Sequence, residues 1–320
     1  MSLPVKVAFL GPEGTYTHQA LLQQFGSDAK QVQIFPQGSI NACFDQINAR
    51  QVDYAVVPLE NSTNGQVVFT YDLLRDWFIS CGSRKAPGFS VVAEQFVAIH
   101  HYLFSNAEDL SRVDKLYSHP QVWGQVSEFL RTEKFNGQCS RIDTGSTAQA
   151  AEKVFEDATH TSACISSEMS GRLYGLPTKR AEIEDMKGNT TRFLVLGYGQ
   201  MLHGEAREGT RGETEKAVGP EDSAGGADHC ITSLMFVLND NDPGALCEAL
   251  DAFKIHRVNL TSIASRPSKV TPWEYVFFVD AEGHENTPEM RDSVRQLQEH
   301  CQRVAVLGLF VRSWRYKKHV

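Results

Sequence analysis

Residues 5–25 read VKVAFLGPEGTYTHQALLQQF. Val5 to Leu10 is a strand-length apolar run, Gly11-Pro12-Glu13-Gly14 is a polar break, and Thr15 to Phe25 has the spacing of a helix. A strand handing over to a helix through a short loop is one α/β unit, and the succession recurs. Ser39 caps INACFDQINAR, and Tyr54 to Pro58 (YAVVP) reads as a buried strand with a helix after Asn64-Gly65. Gln95 to His100 is a further strand. Leu116-Tyr117 runs into Ser118-His119-Pro120-Gln121, read as a capping box before the helix VWGQVSEFL. A second box at Ser146 to Gln149 opens AQAAEKVF. Ser162 to Ile165 precedes the helix SEMSGRLYG, and Phe193 to Leu196 closes the series. Alternating strands and helices predict an α/β fold with largely parallel sheets.

From Gly199 to Asp228 the pattern stops. GQMLHGEAREGTRGETEKAVGPEDSAGGAD is rich in Gly and Glu, has almost no large aliphatic residue and shows no period. It reads as a linker at 199–228 dividing 1–198 from 229–320. Beyond it the order changes. Ile231 to Leu238 is a strand, and a helix starts at Asp242-Pro243 and runs through Lys254. Val258 to Ser265 and Trp273 to Val279 are strands, Pro288 to Cys301 is a helix, and Val304 to Phe310 is a last strand. That is βαββαβ, the ferredoxin-like split motif.

The formal charge of −8 disfavours a nucleic-acid partner, and Arg312, Arg315, Lys317 and Lys318 read as a solvated end. No run approaches a membrane span, and MSLPVKVAFLGPEG does not read as a signal peptide, which predicts a cytoplasmic protein. Seven scattered cysteines without a CxxC pair predict reduced thiols and no zinc site.

Polar clusters fall where strands hand over to helices: Gly11 to Tyr16, Glu60 to Gly65, Ser118 to Pro120 and Gly145 to Thr147. Helix N-termini there offer unpaired N–H groups. Any one cluster reads as capping chemistry; four in one half-chain point to a site for a small, multiply anionic molecule. The loop at Gly11 lacks the third glycine of a dinucleotide fingerprint, and no P-loop, HExxH or GxSxG is present. His100-His101 reads as a strand-end pair and Glu184-Asp185 as a helix-surface pair. Asn189-Thr190-Thr191-Arg192-Phe193 is open to two readings, a surface turn or a carboxylate grip by Arg192 beside a donating hydroxyl.

Taken together these residues resemble the prephenate dehydratase family. Gly11 to His18 resembles its opening motif, Val57 to Gly65 its ENS loop, and Ser118 to Gln121 its SHPQ stretch. Ser146-Thr147-Ala148 is similar to its STA segment, and Thr191-Arg192-Phe193 to its TRF signature. In the second part, Asp242-Pro243-Gly244-Ala245-Leu246 and Ser265-Arg266-Pro267 resemble the phenylalanine-binding motifs of its ACT regulatory domain. Ala264 stands where that motif usually has Glu, and Leu59 replaces the commoner Ile.

The resemblance implies a two-lobed, periplasmic-binding-protein-like catalytic part, with lobes near 1–92 plus 189–198 and 93–188, followed by the ACT domain. It implies decarboxylating dehydration of prephenate, driven by aromatisation and needing no cofactor and no metal. It assigns Thr191 as donor to the leaving hydroxyl, with Glu60 as rival acid. Thr15, Asn61, Ser62, Ser146, Thr147, Arg192 and Phe193 would bind substrate. Phenylalanine would act at 242–246 and 265–267, in a homodimer or homotetramer joined through ACT domains. Two alternatives stand beside it: a preference for arogenate, and a non-enzymatic sensor with the same modules.

Overall fold

The computed structural model describes residues 3–78, 87–133, 135, 137–199, 230–239 and 243–313. The first lobe begins with β1 (Val5–Leu10), α1 (Tyr16–Phe25), β2 (Val32–Gln37), α2 (Ile40–Asn48), β3 (Tyr54–Asn61), the short β4 (Gly65–Gln66), α3 (Val68–Phe78) and β5 (Ser90–Ala98). The chain then enters a second sheet through β6 (Tyr102–Ser105), β7 (Lys115–Ser118), α4 (Pro120–Trp123), α5 (Ser127–Thr132), β8 (Ser140–Asp143), α6 (Thr147–Phe155), β9 (Ser162–Ser166), α7 (Glu168–Leu173) and β10 (Thr178–Arg180). It returns to the first sheet as β11 (Thr190–Gly197). The C-terminal unit is β12 (Cys230–Leu238), α8 (Ala245–Ile255), β13 (Leu260–Pro267), β14 (Tyr275–Glu282), α9 (Pro288–His300) and β15 (Cys301–Val311), the expected βαββαβ order.

The second sheet runs β10-β6-β9-β7-β8. The first is longer than either unit alone. Its order is β13-β14-β12-β15-β5-β11-β3-β1-β2, because β15 pairs in parallel with β5 at Gly308 and Val91. Parallel pairs occupy the middle of each lobe (β1 with β2 and β3, β7 with β8 and β9), while the strands at the crossings pair antiparallel.

Each central strand is covered on both faces. Val7 and Phe9 pack with Ala20 and Leu21 of α1, whereas Ala8 faces a cluster with Phe44 of α2. That second cluster takes in Val57 and Leu59 of β3, Leu194 and Leu196 of β11, and Tyr71 and Leu74 of α3. It continues into Met235, Val276 and Phe278 of the C-terminal sheet, so the two units share one apolar core. Helices α8 and α9 cover the other face of that sheet.

Several sequence expectations change in detail. VWGQVSEFL is two short helices, α4 and α5, separated at Gly124 to Val126. The cap of α4 is His119; the Ser118 hydroxyl donates instead to the Ile165 carbonyl at 2.8 Å. Helix α8 starts at Ala245 behind Gly244, which has φ +99° and offers no capping side chain. The expected start at Pro243 is therefore early by two residues, and Asp242 lies outside the described residues. Arg312 is no solvated end: its guanidinium faces the buried Glu94 carboxylate at 3.4 Å. Arg315, Lys317 and Lys318 lie outside the described residues. The linker at 200–228 does as well. No helix among the described residues is long and apolar enough to cross a membrane.

Candidate active site

The loops at the carboxyl ends of β1 and β9 meet. Gly14 accepts hydrogen bonds at its carbonyl from Ser167 Oγ at 3.0 Å and Ser170 Oγ at 2.8 Å, across from one sheet to the other. Its φ of +86° suits glycine, and a Cβ there would stand 3.1 Å from Ser170 Oγ. Its N–H donates to His18 Nδ1 at 3.1 Å, so that nitrogen is unprotonated; burial holds the imidazole below its ordinary pKa. Thr15 caps α1 by accepting from His18 N, and its own hydroxyl points to the Pro12 carbonyl at 2.9 Å. Ser146 likewise caps α6 through Gln149 N at 3.0 Å. Thr147 is buried behind it, its carbonyl accepting from Ser166 Oγ.

The tightest polar cluster lies where β3 and β11 end. The register pairs Asn61 with Thr191 and Glu60 with Arg192. Because side chains alternate along a strand, these two pairs leave opposite faces of the sheet. On one face, Asn61 Oδ1 accepts from the N–H groups of Thr63 and Asn64 at 3.0 and 2.8 Å. Its Nδ2 donates to Asn189 Oδ1 at 2.7 Å and to Thr191 Oγ1 at 2.9 Å. Ser62 closes the same corner, accepting from Thr190 N at 2.9 Å. Among the described residues the Thr191 hydroxyl accepts from Asn61 and makes no other hydrogen bond, so its hydrogen is free for another acceptor. Thr191 is half-buried, whereas Thr190 is buried and turns its hydroxyl to the Gly188 carbonyl.

On the other face Arg192 is held by protein carboxylates. It meets Glu94 at 2.8 Å, Asp280 of the C-terminal unit at 2.6 Å and Glu60 at 3.1 Å. Burial alone would lower its pKa; the Asp280, Glu94 and Glu60 charges outweigh that and keep it cationic. Its Nη2 is buried and makes no hydrogen bond among the described residues. The expected grip of Arg192 on a substrate carboxylate beside Thr191 does not match this placement. Glu60 points to the same ionic cluster, away from Thr191, which removes it from the acid's position. Phe193 returns to the Thr191 side but sits in the apolar core with Phe9 and Val97.

The crossings carry residues that the sequence read only as structural pairs. Glu184 and Asp185 are no helix-surface pair. Glu184 is buried and receives His100 Nδ1 at 3.0 Å, the His101 N–H at 3.1 Å and Lys187 Nζ at 3.0 Å. Burial would raise its pKa, yet these hydrogen bonds and charges bring it down to about 2. His100, Glu182 and Glu184 form the one trio with metal-ligand spacing among the described residues, but Lys187 Nζ stands against both carboxylates. Asp185 accepts from Ser127 N and Glu128 N at the start of α5.

In the C-terminal unit the expected effector residues lie in two places. Pro243, Gly244, Ala245 and Leu246 form the entry to α8. Ser265, Arg266 and Pro267 end β13, against α3 of the first lobe. Arg266 Nε meets Asp72 at 2.8 Å, and the Pro267 carbonyl accepts from the fully buried Arg75 at 2.7 Å. Ala264 is buried in the shared apolar core, where a glutamate would bring an unpartnered carboxylate.

Similarity to known proteins follows the same division. The family model for prephenate dehydratase matches residues 7–201 and that for the ACT domain matches residues 232–299. The chain is 37% identical to a probable prephenate dehydratase of Saccharomyces cerevisiae over 98% of each chain. It is 33% identical to a bifunctional chorismate mutase/prephenate dehydratase of Aquifex aeolicus, over 97% of this chain and 74% of that one. A solved prephenate dehydratase from Arthrobacter aurescens in complex with L-Phe superposes with a TM-score of 0.76 at 25% identity, over 96% of this chain and 90% of that one. With its two α/β lobes and βαββαβ tail, this chain belongs to the prephenate dehydratase family and carries a C-terminal ACT domain.

Proposed function

We infer that the chain converts prephenate to phenylpyruvate, carbon dioxide and water, and that phenylalanine regulates it through the ACT domain. In this reaction the bond from the ring carbon to its carboxylate breaks and the electron pair enters the ring. The C4–O bond breaks in turn, and the leaving hydroxide takes up a proton as water. Aromatisation supplies the driving force, so the enzyme's task is to orient a dianion and to stabilise charge on the departing oxygen. The observation that carries the reading is the Thr191 hydroxyl, oriented by Asn61 with its hydrogen unspent. A threonine hydroxyl is a weak acid, so its contribution is a hydrogen bond to the developing oxyanion more than a full proton transfer. The N-termini of α1 and α6, capped by Thr15 and Ser146, suit the carboxylates.

Phenylalanine binding at Gly244 to Leu246 and Ser265 to Pro267 is supported by the entry to α8, where no side chain among the described residues caps the helix, and by the direct ties from Arg266 and Pro267 to α3. A relative solved with L-Phe supports the same effector.

The site is tested by Thr191→Ala. Loss of one transition-state donor lowers kcat by about 10²–10³ with KM little changed. Thr190→Ala, whose hydroxyl serves the Gly188 carbonyl, stays close to wild type in KM and loses far less kcat. A folded Thr191→Ala enzyme, with unchanged circular dichroism and Tm, that keeps most of its kcat rules the donor role out.

A further inference from the structure

A chain of hydrogen bonds runs from the Thr191 hydroxyl into the second lobe, and each link forces the next. The Thr63 and Asn64 amides can only donate, so Asn61 presents Oδ1 to them and its NH₂ to Thr191 and Asn189. Asn189 must then receive Asn61 on Oδ1 and turn its own NH₂ outward. That NH₂ meets Gln125 at 3.1 Å, which places the Gln125 carbonyl oxygen there. The same oxygen lies 2.8 Å from His101 Nε2, so that nitrogen carries the hydrogen. His101 is buried, which lowers its pKa and keeps the ring neutral, leaving Nδ1 bare towards the Tyr16 hydroxyl at 3.4 Å. Tyr16 belongs to α1, and its hydroxyl donates to the His100 carbonyl at 2.7 Å, so the chain ends on the first lobe again.

We propose that Gln125 is a positioning residue for the reaction: its side-chain oxygen, by accepting from Asn189 and His101 together, holds Asn61 and through it the Thr191 hydroxyl in the donating orientation. Gln125 is well placed for this. Its carbonyl accepts from Asp185 N at 2.7 Å, and Asp185 in turn caps α5, so the residue is pinned to the crossing on both sides. Asn189 O also accepts from Ile99 N at 2.8 Å, which ties the two crossings together at this point. The orientation of the Thr191 hydroxyl therefore depends on both lobes being in their bonded arrangement. The proposal rests on the reading of Thr191 as the donor.

Two substitutions separate an acceptor from a contact to substrate. Gln125→Glu keeps an acceptor oxygen for both partners, loses the amide N–H and adds a negative charge beside His101. Gln125→Leu loses the acceptor. Steady-state kinetics on prephenate should show Gln125→Leu losing about tenfold in kcat with KM within about twofold, as for the loss of one hydrogen bond that matters in the transition state. Gln125→Glu should stay within about threefold of wild type. Combined with Thr191→Ala, Gln125→Leu should cost nothing further, because it acts through the hydroxyl already removed. If Gln125→Glu falls as far as Gln125→Leu, or Gln125→Leu leaves kcat intact, or its loss adds fully to that of Thr191→Ala, the positioning role is overturned. Thr191→Ala measured alone reports on the donor separately: an inactive Thr191→Ala beside a fully active Gln125→Leu sinks the positioning role only, whereas an active Thr191→Ala sinks both.

Discussion

Thr191 and Arg192 are chain neighbours with unrelated tasks, because β11 turns successive side chains to opposite faces. The same separation by environment applies to acids. Glu184 has its carboxylate buried among His100, the His101 N–H and Lys187, and its pKa stands at about 2 against an ordinary 4.5. A folded-state pKa below the unfolded one stabilises the protein above the unfolded value, and that stability is lost as pH falls through 4.5 towards about 2. Glu184→Gln cannot lose it. The Tm gap between wild type and Glu184→Gln should therefore shrink as the medium is acidified across that window. A gap that stays constant with pH contradicts the assignment of these hydrogen bonds to the ionised carboxylate.

Among the elements, β15 and β5 make the joint between the catalytic and ACT units. A Cβ on Gly308 would lie 1.9 Å from the Val91 carbonyl oxygen, so the strands approach only because that side chain is absent. Gly308→Ala should destabilise the full chain by roughly 1–3 kcal/mol in urea unfolding, as overpacking against backbone does. Gly38→Ala, with no atom within 4 Å and no left-handed φ, is the comparison and should stay within about 0.5 kcal/mol. An equal effect of the two contradicts a close joint. Most elements were legible beforehand, since Ser39 and Ser146 cap their helices as their residue types suggest. The helix start at Pro243 was misread because Gly244, with its left-handed φ, begins α8 two residues later. VWGQVSEFL kept its helical spacing on paper, but Gln125 was needed at the crossing and the helix breaks there. Thr191, Asn61, Ser62 and Arg192 were all visible in motifs, but the ionic role of Arg192 was not, since its partner Asp280 lies 88 residues away in another unit.

At the scale of the whole molecule, the ACT unit reaches the catalytic strands from two sides. Arg266 and Pro267 hold α3 through Asp72 and Arg75, and Asp280 enters the cluster of Arg192, Glu94 and Glu60 directly behind Thr191. A phenylalanine-driven shift of the ACT sheet would change the partners of Arg192 one residue from the donor. Asp280→Asn keeps the shape but loses the charge. It should weaken inhibition by phenylalanine at least several-fold while turnover without phenylalanine stays within about threefold of wild type. Unaltered inhibition in a folded Asp280→Asn protein contradicts this route.

All of this depends on the reaction itself. The most direct measurement is phenylpyruvate formation, followed by its absorbance in alkali, when the purified full chain is incubated with prephenate, with arogenate run in parallel. The account predicts catalytic production of phenylpyruvate from prephenate, with a higher kcat/KM than for arogenate, and its suppression by added phenylalanine. A folded chain that leaves prephenate unconverted above its spontaneous rate contradicts it.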